Sequence, residues 1–223
     1  MILALETATS TGSVALYSQS LIGEYTLNIQ RTHSERLMPA VVKILEDAQI
    51  KPKDLGAITV SVGPGSFTGL RIGVMTAKAM AWSLDVPLVG VPTLDAMAWN
   101  LRYTQGLLCP ALSCRRGEFY SAFYTADGTG EIQRQTDYLA LPLASLEEKA
   151  RAFSGPKYWF GDAPLEVESG IVVTGGLALP KAGAVAQLAQ RKLERGETED
   201  PRALVPLYVR KSAAKPRRKF REN

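Results

Sequence analysis

Ile2-Leu3-Ala4-Leu5-Glu6-Thr7-Ala8-Thr9-Ser10-Thr11-Gly12-Ser13-Val14-Ala15-Leu16-Tyr17 opens the chain and carries its architecture. Residues 2–8 form an apolar run of strand length that ends in an acidic residue and a hydroxyl-rich turn. Residues 12–17 form a second such run and residues 22–29 a third. Connections this short leave room only for hairpins, so the three strands are antiparallel neighbours. A helix follows from about Ser34, which is placed to cap it. Leu37, Val41, Ile44, Leu45 and Ala48 then fall at helical spacing. Residues 57–62 read as a fourth strand, 68–84 as a second helix, 87–91 as a fifth strand and 93–101 as a third helix. The later strands need helical crossovers, which makes the sheet mixed.

A weaker echo of this order occupies the rest of the chain. Residues 107–114, 118–125 and 131–138 read as three strands, 144–153 as a helix, 157–160 and 171–173 as short strands, and 181–194 as a helix. Two tandem βββαβα-type units imply a duplicated α/β fold of two lobes, each with a mixed five-stranded sheet flanked by helices. The expected division is a first lobe over 1–104, a second over 105–209, and a basic, flexible tail over 210–223.

Bulk composition excludes several classes. Hydrophobic residues make up 46% and charged residues 22% of 223, as in ordinary globular proteins. No stretch approaches the ~20 apolar residues of a membrane span. The N-terminus lacks a basic region and meets Glu6 at once, unlike a secretory signal. A cytoplasmic protein without a membrane partner is expected. Cys109 and Cys114 lie five apart in one predicted strand, so their side chains point to opposite faces and stay unbridged. The net charge of +4 is uneven, because residues 210–221 hold seven cations; without them 19 basic residues face 22 acidic ones. Such a tail can contact RNA phosphates or remain a solvated end.

Four places could carry chemistry. Gly63-Pro64-Gly65-Ser66-Phe67-Thr68-Gly69-Leu70-Arg71 joins a strand to a helix, where backbone N–H groups can bind an anion. It ends without the Gly-Lys-Ser/Thr of a phosphate loop, and Thr68 stands where a dinucleotide fingerprint needs glycine. A tight turn with close helix packing is the plainer account. Glu6, Thr7 and Thr9 form the first turn, where hydroxyls also serve local hydrogen bonding. His33 is the single histidine of the chain, and position 37, one helical turn on, is leucine. A metal pair on that helix therefore lacks its second ligand. Arg115 and Arg116 sit in a turn, either solvated or facing RNA.

The segments 2–9, His33-Ser34-Glu35-Arg36-Leu37-Met38-Pro39, 63–73, Gly90-Val91-Pro92-Thr93-Leu94 and Arg115-Arg116-Gly117-Glu118-Phe119-Tyr120 together resemble the TsaB (YeaZ) family of tRNA threonylcarbamoyladenosine biosynthesis proteins. The second half matches mainly in pattern, with 160–162 and 206–210 as anchors. The resemblance implies an actin-like fold of the hsp70, actin and sugar-kinase type. It implies a non-catalytic subunit that supports threonylcarbamoyl transfer to N6 of adenosine 37 in tRNAs reading codons that begin with A. A TsaD-type catalytic subunit is the implied partner, with a TsaE-type ATPase and tRNA joining through the complex. An isolated chain would form a homodimer. Glu6 replaces the usual aspartate of that family's first turn, so no tightly bound cofactor is expected on this chain alone, with ATP or ADP expected at the partner interface. His33, Arg36, Leu37, Ala40, Val41, Ile44, Arg71, Val74, Met75 and Lys78 are the expected interface. Glu6, Thr7, Thr9, Gly63, Gly65, Ser66, Thr68 and Gly69 are the candidate vestigial nucleotide or anion loop. Arg115, Arg116, Lys215, Arg217, Arg218 and Lys219 are candidate RNA contacts; no metal or catalytic residue is expected. The competing readings are an independent ATP-dependent kinase, a glycoprotease-like metallopeptidase, and an RNA adaptor working through the tail.

Overall fold

The computed structural model describes residues 1–28 and 33–209, the side chains of Asn28, His33, Ser34 and Arg116 excepted. Lys215, Arg217, Arg218 and Lys219 lie outside the described residues. The chain forms β1 (Ile2–Glu6), β2 (Thr11–Ser18), β3 (Ser20–Asn28), α1 (His33–Asp47), β4 (Ala57–Gly63), α2 (Phe67–Leu84), β5 (Leu88–Pro92) and α3 (Thr93–Trp99). It continues through β6 (Gln105–Ser113), β7 (Glu118–Ser121), β8 (Tyr124–Asp127), β9 (Ile132–Arg134), β10 (Leu139–Pro142), α4 (Leu143–Ala150), β11 (Lys157–Gly161), β12 (Ile171–Val172) and α5 (Ala182–Glu194).

The first sheet has the order β3-β2-β1-β4-β5. β1, β2 and β3 are antiparallel, whereas β4 and β5 run parallel to β1. The second sheet repeats the order as β10-β7-β6-β11-β12, so the duplication expected from sequence is visible in space. It has seven strands rather than five. The expected strand 118–125 breaks at Ala122-Phe123 into β7 and β8, which pair with the two ends of the same edge of β6. Phe123 is fully buried, and its N–H donates to Thr136 Oγ1 at 3.0 Å instead of to the ladder. Burial of one large ring thus bends the strand out of register.

β1 decides how the first lobe packs. Its side chains alternate, so Leu3 and Leu5 face one way and Ile2 and Ala4 the other. Leu3 and Leu5 join Leu37, Val41, Ile44 and Leu45 of α1 and Val74, Ala77 and Ala81 of α2 in one core. Ile2 and Ala4 pack with Ala96 and Trp99 of α3 and Ala182, Val185, Ala186 and Ala189 of α5. α5 therefore lies on the first sheet although it comes from the second half of the chain. Its alanine stripe permits close approach to the sheet. α3 is shared: Leu94, Met97 and Ala98, with Leu101 just beyond its end, pack with Leu108, Leu112 and Phe160 of the second sheet. Cys109 is buried, Cys114 is half-buried, and both are free thiols.

No helix among the described residues is long and apolar enough to cross a membrane.

Candidate functional site

The first turn and the glycine segment meet, as their spacing allows, and the contact is tight. Thr7 Oγ1 donates to the Gly69 carbonyl at 2.8 Å, and the Ser66 N–H donates to the Ala8 carbonyl at 2.6 Å. A Cβ on Gly65 would stand 2.4 Å from the Ala8 carbonyl oxygen, one on Gly69 2.0 Å from the Thr7 oxygen, and one on Gly73 2.2 Å from Thr7 Oγ1. These glycines are needed for the close approach of the two segments, which leaves no room for a side chain at any of the three positions. Gly63 adopts φ +114° beside Leu207. Ser66 and Thr68 remain exposed at the start of α2, where Ser66 Oγ accepts from the Gly69 N–H at 3.3 Å. Thr9 is buried, with its hydroxyl bonded to Thr11.

Replacing Gly69 by alanine should therefore destabilise the chain by about 1–3 kcal/mol through overpacking. That would appear as a drop of several degrees in Tm by circular dichroism. Gly23→Ala is the control, since its Cβ meets only the Ile44 side chain at 3.8 Å. Equal melting of the two variants would contradict the close-packed junction.

Glu6 lies under this turn and is wholly buried. Its Oε1 accepts from the Ala8 N–H at 2.5 Å, while Oε2 completes no hydrogen bond. Burial pushes its carboxyl up to about 7, because the interior disfavours the charged form. The nearby Ser61 hydroxyl and the turn amides offset part of that rise, although Ser61 Oγ completes no full bond of its own. Glu24 adds repulsion. The first turn of α5 closes the site. The Ala182 N–H donates to Ser13 Oγ at 2.9 Å, and the Gly183 N–H donates to Glu24 Oε1 at 3.0 Å. The Gly69 N–H of α2 and the first two N–H groups of α5 are thus bonded within the chain.

The expected interface residues divide. Leu37, Val41, Ile44 and Val74 are 6%, 1%, 3% and 2% exposed and belong to the core. They cannot present side chains to a partner, which corrects the sequence expectation. An apolar stripe at helical spacing marks the face toward the helix's own sheet. Ala40 is half-buried and Arg36 exposed. Met75 is exposed, together with Met38 and Val42 of α1 and Phe67 and Trp82 of α2. Arg71 and Lys78 hold the chain's own C-terminal segment. The Arg71 guanidinium lies 3.8 Å over the Phe67 ring, and its Nε donates to Tyr208 Oη at 3.4 Å. Lys78 Nζ donates to the carbonyls of Arg202 and Leu204. Residues 199–209 form a strap along α2: the Glu199 N–H bonds Leu88, the Leu207 N–H bonds Val62, and Arg202 covers Trp82. Sequence reasoning missed the strap, although 206–210 stood out as an anchor. His33 heads α1, but its side chain lies outside the described residues, as does that of Arg116. Arg115 is exposed in the turn before β7. No group of three metal-ligating side chains occurs among the described residues.

Residues 21–148 match the family model described as TsaD: tRNA N6-adenosine threonylcarbamoyltransferase. The chain is 36% identical to the tRNA threonylcarbamoyladenosine biosynthesis protein TsaB of Bacillus subtilis (strain 168), covering 96% of this chain and 95% of that one. It is 32% identical to the protein of the same description from Escherichia coli (strain K12), over 96% of each. Among solved structures, YeaZ from Pseudomonas aeruginosa superposes with a TM-score of 0.78 at 27% identity, covering 93% of this chain and 99% of that one. A second Pseudomonas aeruginosa structure, described as an uncharacterized protein with similarity to peptidase YEAZ, gives a TM-score of 0.81 at 27% identity, covering 94% and 99%.

Proposed function

This chain belongs to the TsaB (YeaZ) family of tRNA threonylcarbamoyladenosine biosynthesis proteins, and from that membership we propose that it works in the cytoplasm as the non-catalytic partner of a TsaD-type threonylcarbamoyltransferase. Its fold is the duplicated actin-like fold of its relatives. The observation that carries the subunit role is the outer surface of α1 and α2. The inner stripes of both helices are consumed by the sheet, yet Met38, Val42 and Met75 stay exposed on the outer side. Methionines adapt to a partner's shape and are enriched at interfaces. A stable heterodimer across this surface would bury ~1,200–2,000 Å². In the absence of the catalytic subunit the same surface would pair two copies of this chain about a two-fold axis.

The absence of a catalytic role rests on two positions. Leu37 stands one helical turn after the only histidine, and it is a core residue. Glu6 is sealed beneath the first turn and the start of α5. A buried carboxylate without access to substrate supports neither a kinase nor a peptidase reading. Nucleotide, where the complex uses it, would lie against the partner subunit, and a TsaE-type ATPase and tRNA would join the pair.

The test is tRNA modification reconstituted from purified components. Omitting this chain should abolish product or reduce it at least tenfold, and adding it back should restore the rate. Undiminished product without it would overturn the proposal, and turnover by this chain alone would restore an independent enzyme.

A further inference from the structure

A cavity of about 280 Å³ lies between α3, α5 and the β8–β9 hairpin, on the side of the first sheet away from α1 and α2. Asp95, Trp99, Arg134, Arg191, Lys192 and Arg195 line it, with Glu131 at its edge. We propose that this cavity is a binding site for a compact phosphate-bearing small molecule.

Four cations and two carboxylates line the space. Two of the cations, Lys192 and Arg195, are matched by Glu199 and Glu197 beside it, which leaves Arg134 and Arg191 as the groups that can meet an anion. Helix-dipole stabilisation explains cations at the C-terminal end of α5. It explains neither the cavity nor Arg134, which reaches it from a different strand. Asp95 is already engaged: its Oδ1 accepts from Tyr124 Oη at 2.7 Å and from Tyr138 Oη at 2.8 Å. Arg134 Nη1 is 3.9 Å from that oxygen, too long for a hydrogen bond, and its guanidinium lies 4.4 Å over the Tyr138 ring. The Trp99 indole, hydrogen-bonded to Gln187, has the Arg191 guanidinium 5.1 Å from its ring. Besides that ring, Arg191 is held by Glu131 at 2.9 Å, whose side chain is 63% exposed. Exposed pairs of this kind contribute ~0–1 kcal/mol. A phosphate, with up to two charges at neutral pH and oxygens matching the guanidinium fork, can displace Glu131 at little cost. Lys192 is fixed by the Gly90 carbonyl and Glu199, and Arg195 by Glu197 at the rim. Both are neutralised by these carboxylates and frame the site rather than bind the anion. The volume lies just under the usual range of small-molecule sites, ~300–1,000 Å³, and suits only a compact ligand. Because the lining comes from both lobes, a bound ligand would brace one against the other.

Calorimetric titration of the full chain tests this, with inorganic pyrophosphate and AMP as probes and adenosine as the uncharged control. Saturable one-site binding of either phosphate probe, without binding of adenosine, is expected, and the stronger probe tells free from esterified phosphate. Arg134→Ala and Arg191→Ala should each weaken it at least tenfold. Glu131→Gln should tighten it several-fold by removing the competing anion, an effect that partial unfolding cannot mimic. Met75→Asp should leave it unchanged, so that failure here is separable from failure of the partner surface. No saturable binding at millimolar probe, or equal binding by the Arg134→Ala, Arg191→Ala double variant, would overturn the site.

Discussion

Aspartate at Val74 should unfold this chain, whereas aspartate one position on, at Met75, should leave the fold intact and abolish the proposed pairing with a TsaD-type subunit. Val74 is 2% exposed and packs with both helices and the sheet. A carboxylate there loses its hydration inside the apolar cluster, and the nearest cations on the helix, Arg71 and Lys78, are already engaged by the C-terminal segment. The penalty is several kcal/mol per ion. Loss of the buried valine adds ~1.5–3 kcal/mol. Together these rival the whole stability of a domain, ~5–15 kcal/mol. Met75 is 61% exposed. Its replacement costs about 0.5 kcal/mol through helix propensity and exposed-site effects. In the complex the new charge would be desolvated against an apolar partner, which costs more than a typical contact yields. Circular dichroism melts and gel filtration with the TsaD-type subunit separate the cases. A folded Val74→Asp chain would refute the core assignment. A Met75→Asp chain that still co-elutes with its partner would remove this surface from the interface.

Glu6→Gln should stabilise the chain, and the gain should grow with pH. The carboxyl titrates near 7 in the folded protein against an ordinary value of 4.5. Between those values the folded chain keeps a proton that the unfolded chain has released. Stability from this group is therefore fully present below about 4.5 and falls as pH rises toward 7. The span corresponds to roughly 3 kcal/mol, at 1.36 kcal/mol per pH unit. Above pH 7 the buried carboxylate is charged and one oxygen has no donor. Glutamine keeps the Oε1 acceptor for the Ala8 N–H and turns the other atom into a donor beside Ser61. Urea unfolding of both chains at pH 5 and pH 8 reads the effect. The two should differ little at pH 5 and by a few kcal/mol at pH 8. A variant that is no more stable at pH 8 would show that Glu6 is better solvated than its surroundings imply.

Most of the fold was legible because strand and helix periods are local properties. The alternation of Ile2, Leu3, Ala4 and Leu5 places two faces on β1, and both are covered. Hairpin-length connections and helical crossovers then order the first sheet. The second sheet was less legible at Phe123, whose burial splits one expected strand into two. The loop residues Thr7, Gly65 and Gly69 were identified by composition, and the two segments that carry them do meet. That the two segments pack closely enough to exclude a Cβ at Gly65 and Gly69 was not legible, since it depends on contacts between backbone segments some 60 residues apart.

Sequence by itself determined the duplicated α/β pattern, the single histidine with Leu37 one turn later, and the family resemblance carried by the first 125 residues. Tertiary structure alone decided which face of each helix is free. Periodicity reports that a stripe exists, but sheet and partner both reward the same apolar side chains. Only packing reveals that Leu37, Val41, Ile44 and Val74 are spent on the sheet and that Met38, Val42 and Met75 are left over. The same holds for α5, whose alanines cross back to the first lobe, and for the cations it brings beside Arg134. These are contacts between residues far apart in the chain, and local propensity carries no information about them.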